Sequence, residues 1–372
     1  MIRATLFLIF AFTLPAQAQD IFFFNAKGYT LQDGALIRFD ALLVKNGRVQ
    51  AAGPENLLRP YAGDIVQRDL AGKTLLPGFV DAGVAVAGST SNAGDPVAQV
   101  ESRLKNKAKL GFTTIHDTSV TQAGWDALLQ LADEKRLPIR VFGWIKGFGS
   151  DFDSLSGRGP LTSLANDILS LRGVSIEVAS KGCALAAPVA LRNKLARANM
   201  RGYQAAVTLT GCVPPNAVYA AFSDVLAYST FDGRHRLVYG YSASELRALY
   251  KPQSIVQTVV ALPSQNGALS ITLKGDRAII SAGLYAAGST ALAAFSQMNA
   301  ALEDDRTKAL EALSLAPAYA SFMEDRLGSL DTGKWADFII LDRNIMTMDA
   351  SAIASAQVVE TWVAGRQVFA AN

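Results

Sequence analysis

The chain has 372 residues, 50% hydrophobic and 18% charged, with a formal net charge of +3. Such a composition suits a globular protein with a large buried core, built as one big barrel or as two domains. So small a charge gives no electrostatic reason to expect nucleic acid, which demands a clustered basic face.

The first residues, MIRATLFLIFAFTLPAQAQD, read as a secretory signal. Arg3 supplies the positive start, Ala4 to Leu14 the apolar stretch, and Ala16-Gln17-Ala18 a small-x-small cleavage site. The apolar run is shorter than the roughly 20 residues a membrane span needs. The mature chain is expected to start near Gln19, with Arg3 lost and a charge of +3 − 1 = +2. Export to a bacterial periplasm follows, with no lipid anchor and no membrane association after cleavage.

From Asp20 to Thr74, short β-forming runs are punctuated by Asn-Gly, Ala-Gly and Asp-Gly turns. Asn46-Gly47 between two apolar runs predicts a hairpin. The aromatic Ile21-Phe22-Phe23-Phe24 opening reads as sandwich core.

From Leu75 to about residue 325, short apolar runs alternate with helix-length amphipathic segments. The strand-like runs are LLPGFVDA, FTTIHD, IRVFGWI, VSIEVA, YQAAVTL, RLVYGY, IVQTVVAL and GLYAAGS. Helices are expected at VAQVESRLKNKAKL, AGWDALLQLADEK, PVALRNKLARANM, SASELRALY and AALEDDRTKALEAL. Arg103, Lys105, Lys107 and Lys109 are expected to form the solvated side of the first of these. Eight such strands in about 250 residues suit an α/β fold, a TIM-like (β/α)8 barrel. A doubly wound sheet is the alternative, but no glycine-rich phosphate fingerprint follows any strand. The tail, DFIILD, VVETWVAG and RQVFA, returns to strands. The expected organisation is a signal peptide over 1–18, a barrel over 75–325, and one small β-sandwich built from 19–74 and 326–372.

The ladder ending in Gly72-Lys73-Thr74-Leu75-Leu76-Pro77-Gly78-Phe79-Val80-Asp81-Ala82 resembles the amidohydrolase superfamily, as does the C-terminal Gly328-Ser329-Leu330-Asp331-Thr332-Gly333-Lys334-Trp335-Ala336-Asp337. Gly111-Phe112-Thr113-Thr114-Ile115-His116-Asp117, Leu137-Pro138-Ile139-Arg140-Val141, Arg234-His235-Arg236-Leu237 and Ala316-Pro317-Ala318-Tyr319-Ala320 are similar to the N-substituted formamide deformylase branch. The resemblance covers most of the mature chain. It implies a barrel mouth carrying zinc or another divalent metal, which activates water against C–N bonds other than peptide bonds.

Carried over position by position, the implied ligands are replaced. The H-x-H of strand one falls on Gly83 and Ala85, the strand-four lysine near Ser175, and the strand-five histidine on Thr208. The strand-six histidine falls on Tyr239 and the strand-eight aspartate on Thr290. Glycine and alanine offer no donor, and neutral hydroxyls are poor zinc ligands. The implied site needs four histidines, and the chain has two. No metal and no other cofactor is therefore expected. Ser175, Thr208, Tyr239 and Thr290 are the candidate ligand-binding residues of a neutral polar mouth.

Other candidates are few. His116 and Asp117 at the end of strand two read either as an acid/base pair or as rim structure. His235 reads as a surface residue. Cys183 and Cys212, after adjacent strands, read as a disulfide, as two buried free thiols, or as a reactive or metal-binding pair with His116. A bond between them would contribute roughly 3–4 kcal/mol on the chain-entropy view. Three functions follow: a catalytically inactive homologue with a small-ligand pocket, a hydrolase of amide, formamide or cyclic-amide bonds with a rebuilt site, or a partner subunit. A homo-oligomer, or pairing with an active paralogue, belongs with the last.

Overall fold

The structure is a computed structural model that describes residues 18–88, 94–178, 180–181, 184–209, 215–227, 229, 231–239, 258–261, 268–274, 277–283 and 290–371. The expected signal sequence up to residue 17, Cys183, Cys212 and the expected helix SASELRALY lie outside the described residues.

The N-terminal part forms β1 (Ile21–Phe24), β2 (Lys27–Gln32), β3 (Ala35–Phe39), β4 (Ala41–Lys45), β5 (Arg48–Gly53), α1 (Glu55–Ala62), β6 (Val66–Asp69) and β7 (Thr74–Pro77). Asn46 and Gly47 both take positive φ, 52° and 74°, and join β4 to β5. Left-handed backbone at both turn positions is what an Asn-Gly pair supplies at least cost.

Next come β8 (Phe79–Val84), α2 (Pro96–Lys109), β9 (Phe112–Val120), α3 (Gln122–Asp133), β10 (Arg140–Lys146) and α4 (Ser150–Leu155). They are followed by β11 (Leu161–Ser163), β12 (Leu169–Val178), the short pair β13 (Ser180–Lys181) and β14 (Ala184–Leu185), β15 (Gln204–Leu209) and β16 (Arg236–Tyr239). Then come β17 (Thr258–Ala261), β18 (Ala268–Lys274) and β19 (Arg277–Gly283). The chain closes with β20 (Phe338–Leu341), β21 (Val358–Val363) and β22 (Arg366–Ala370).

Strands β8, β9, β10, β12, β15, β16 and β17 pair side by side, all parallel. The sheet curls until β19 lies against β8. This is the expected α/β, barrel-type fold, with one correction at its last strands. The eighth strand was expected at GLYAAGS; instead β18 runs antiparallel to β17, and β19 ends at Gly283. The register pairs Lys274 with Arg277, leaving only Gly275-Asp276 between two runs rich in β-formers. A two-residue connector starting with glycine favours a hairpin over a crossover. Residues 284–289 of the expected strand lie outside the described residues.

Both ends of the chain meet in one six-stranded sheet, ordered β22-β21-β20-β7-β2-β3, facing the four-stranded β5-β4-β1-β6. Phe23 of β1 packs edge-on against Phe338 and Trp362, each with ring centroids 5.2 Å away. The aromatic opening is thus core, anchored by the tail.

The strongest tie between tail and barrel is ionic. Arg140, at the start of β10, donates from Nε and Nη2 to the two carboxylate oxygens of Asp337, at 2.7 and 2.9 Å. Both side chains are buried. Asp337 also accepts from the Ala364 amide, and its carbonyl accepts from the Gly78 amide that begins the barrel. The Asp of the C-terminal signature therefore holds three segments together.

Three other expectations change. Along α2, Lys107 is buried and pairs with buried Asp81 at 2.7 Å, and Arg103 donates to the Val86 carbonyl. Lys105 and Lys109 alone are exposed. A two-residue step turns a helix by about 200°, so alternating cations fall on opposite faces. The run AALEDDRTKALEAL is not one helix but two, Ala291–Ala301 and Arg306–Leu313. Glu303 and Asp304 turn left-handed between them, and the Asp305 carboxylate caps the Lys308 amide. Finally, His235 is buried rather than at the surface. Its Nδ1 accepts from the Ala205 amide at 2.9 Å, and its ring stacks near Phe222.

Removing one partner of a buried ion pair strands the other charge, so Asp337→Ala should lower stability by about 3–5 kcal/mol. Urea unfolding of the purified protein checks this; a loss below about 1 kcal/mol would refute the anchoring role. Burial lowers the His235 pKa to about 4 from an ordinary 6.5. Between those values the unfolded chain binds the extra proton, so this contribution is complete above about pH 6.5 and is lost as pH falls toward 4. The gap corresponds to about 3 kcal/mol. Relative to His235→Gln, the wild type should lose stability across that window; parallel curves would contradict it.

Candidate functional site

Because the barrel strands are parallel, their C-terminal ends share one edge, near which Gly83, Ala85, Ser175, Thr208 and Tyr239 stand; Thr290 does not join them, because the next residue, Ala291, bonds to the Leu110 carbonyl just before the start of β9. Gly83 is the penultimate residue of β8 and buried, its amide donating to Asp81 Oδ1 at 3.2 Å. Ala85 follows the strand and is exposed. Ser175 is half-buried in β12, level with Ala206, and its Oγ donates to the Ile145 carbonyl at 3.4 Å. Thr208 is half-buried in β15 and lies level with Glu177, not with Ser175. Tyr239 ends β16, and its side chain lies outside the described part. Thr290 is the N-cap of the helix Ala291–Ala301, its Oγ1 accepting from the Ala293 amide at 3.0 Å. That hydroxyl serves its helix.

His116 and Asp117 are neighbours in β9, so their side chains leave on opposite faces of the sheet. Asp117 is fully buried on the outer side. Burial pushes its pKa up, while donation from the Ala87 amide and from the Ser119 amide and hydroxyl holds it down. Asp117 fastens the loop after β8 to the end of β9.

His116 faces the barrel interior and meets the one feature there that sequence reasoning missed. Arg236, the first residue of β16, is fully buried. Its Nη1 donates to His116 Nδ1 at 2.9 Å and to the Ala82 carbonyl at 3.3 Å. Its guanidinium lies 4.3 Å above the ring centroid of Trp144, which is also fully buried. The His116 ring packs 5.2 Å from Trp144 and 5.5 Å from Phe142. A guanidinium cannot accept, so His116 presents a lone pair at Nδ1 and carries its proton on Nε2. Burial first, and then the Arg236 charge, push its pKa well below the usual value, so the ring is neutral.

Both residues stand in runs picked out from the sequence, Arg234-His235-Arg236-Leu237 and IRVFGWI. The usable signal was strand alternation from a known barrel face, which sequence alone does not orient. Among the described residues, no group of three or more His, Cys, Asp or Glu side chains is gathered to hold a metal ion. No helix among them is long and apolar enough to cross a membrane.

A family model described as the amidohydrolase family matches residues 295–369, from the helix Ala291–Ala301 through β22. The protein LONG AFTER FAR-RED 3 of Arabidopsis thaliana is 43% identical over 63 residues, 17% of this chain and 11% of the plant protein. Among solved structures, an uncharacterized metal-dependent hydrolase of Pyrococcus horikoshii OT3 superposes with a TM-score of 0.66. It is 14% identical, over 89% of this chain and 99% of the other. A zinc-bound adenosine deaminase of Xanthomonas campestris gives 0.60 at 15% identity, over 95% and 93%. At such identities the likeness is one of fold: this chain has the fold of the metal-dependent amidohydrolases, and its C-terminal stretch carries their family match.

Proposed function

We propose that the chain is an exported amidohydrolase homologue of the formamide deformylase-like branch that has lost metal-dependent hydrolysis and keeps its barrel as a small-ligand pocket. The observation that carries this reading is the state of the ligand positions: Gly83 has no side chain, the Ser175 hydroxyl bonds to a backbone carbonyl, and the Thr290 hydroxyl caps its own helix.

The residues present do not fit a metal. Gly83 and Ala85 have no donor atom, the Ser175 hydroxyl donates to a backbone carbonyl, and the Thr290 hydroxyl caps a helix. Neutral hydroxyls engaged in this way are poor ligands for zinc. Such a mouth is left with recognition rather than bond cleavage. Pairing with an active paralogue is the other use open to such a barrel.

Export fits the start of the fold. The Gln19 amide bonds to the Gly365 carbonyl and β1 begins at Ile21, so a chain that starts at Gln19 keeps every described strand of the sandwich. N-terminal sequencing of protein recovered from a periplasmic extract should therefore begin at Gln19; an intact Met1 would refute cleavage.

For the loss of metal chemistry, the mature protein expressed in zinc-supplemented medium should contain far less than one ion per chain by mass spectrometry. It should turn over no formamide, amide or cyclic amide above background. A stoichiometric metal, or hydrolysis that a chelator abolishes, would overturn the proposal. Chelator-insensitive hydrolysis lost in His116→Ala would establish a rebuilt active site in its place.

A further inference from the structure

We infer that a cationic groove between the barrel and the sandwich binds an acidic peptide segment, which adds to the free edge of β22 as an extended strand. The inference goes beyond the fate of the metal, because the groove lies at the other end of the barrel strands from the mouth. Lys109 stands just before β9, and Leu137 and Pro138 just before β10.

The groove has a volume of about 870 Å³ and is walled by α2, by the turn after α3 and by β22. Helix α2 supplies Lys105 and Lys109, the turn supplies Lys135 and Arg136, and β22 supplies Arg366. Against these five cations stand two carboxylates, Glu101 and Glu134. Both are engaged: Glu101 pairs with Lys105 at 2.8 Å and also with Arg136, and Glu134 pairs with Arg136. Lys109 and Lys135 are exposed and form no ion pair among the described residues. Arg366 is half-buried and donates to the Leu137 carbonyl at 3.3 Å, a neutral acceptor. Burial and then the charge of Arg140 lower the Arg366 pKa; Asp337 acts the other way but is bound by both oxygens to Arg140. Five cations less two carboxylates leave +3, the formal charge of the whole chain. The rest of the molecule is balanced, and this groove is not.

Charge alone would suit many anions; the walls select an extended chain. Strand β22 ends its sheet, pairs with β21 alone, and has no buried residue. Neighbouring residues of a strand point to opposite faces, yet Arg366, Gln367, Val368 and Phe369 all border the groove. The groove therefore follows the edge of the strand, where backbone N–H and C=O groups await a partner strand. Buried Leu137 and Pro138, with half-buried Val368 and Phe369, give it an apolar floor. A strand added there takes its affinity from main-chain hydrogen bonds and its specificity from alternate side chains. Apolar residues meet the floor and acids meet the cations. A second copy of this chain would bring an equally cationic edge and be repelled. A phosphate polymer would answer the cations and leave the strand edge unpaired.

The test uses the mature protein and a labelled peptide of about ten residues, the upper length of an ordinary strand, alternating valine and glutamate. Fluorescence anisotropy is expected to show saturable binding. Affinity should fall roughly tenfold or more from about 0.01 M to about 0.15 M salt, as the screening length drops from about 30 to about 8 Å. Amide exchange across β22 should slow in the complex. The double variant Lys109→Glu/Lys135→Glu should weaken binding roughly tenfold, because exposed pairs contribute modestly and reversal turns attraction into repulsion. Both side chains are exposed, so its thermal unfolding should match the wild type.

Equal binding of a valine–lysine peptide, or undiminished binding by the double variant, would overturn the inference. So would equal binding of the same acidic peptide with every backbone nitrogen methylated, or unchanged exchange in β22. Binding of inorganic polyphosphate or a single-stranded oligonucleotide without the peptide, or no saturable binding at all, would sink it as well. None of these outcomes depends on the metal content of the mouth.

Discussion

The bidentate pair between Arg140 and Asp337 is the constraint on which the architecture turns. It links a barrel strand to a residue almost two hundred positions later, and through Asp337 it also fixes the Ala364 and Gly78 amides. A buried ion pair is costly to desolvate, and its net contribution to stability is modest. What it supplies is geometry: two planar groups meet in one orientation, so the tail strands dock in one register against β7. Asp81 with Lys107 does the same for α2, and the Phe23–Phe338–Trp362 cluster fills the space between the two ends of the chain. These contacts lie away from the C-terminal strand edge where the family chemistry would sit.

That separation leaves residues at the mouth free to vary while the scaffold holds. Packing constraints act on the walls, where an altered volume or an unpaired charge costs several kcal/mol. Residues at the mouth, such as Ala85 and Thr208, are exposed or half-buried and carry little of that load. In the interior, Arg236, His116 and Trp144 pack together, all fully buried. Fold likeness to metal-dependent hydrolases is therefore compatible with a different chemistry at the site.

Some positions show why local reading reached only part of this arrangement. Asn46-Gly47 was readable because its backbone preference is intrinsic to two residues. The alternating cations of α2 were assigned to one solvated face, although the helix period sends Lys107 inward to Asp81. His235 was placed at the surface because charged neighbours surround it in sequence, yet its ring is enclosed by Ala205, Asn199 and Phe222. The β18–β19 hairpin was missed because β-forming runs joined by Gly275-Asp276 resemble a strand and its flank until pairing partners are known.

The sequence by itself determined the α/β alternation and the aromatic core of the first strand. Each of these is carried by residue type and short-range period. Only the tertiary structure decided which polar groups face one another: Arg140 with Asp337, Thr290 with its own helix, and Arg236 with His116 and Trp144. The physical reason is that strand alternation states that a side chain is on one face or the other, while the curl of the sheet selects which face is enclosed. The partners across the barrel then come from strands far apart in the chain, and no local pattern encodes their distance.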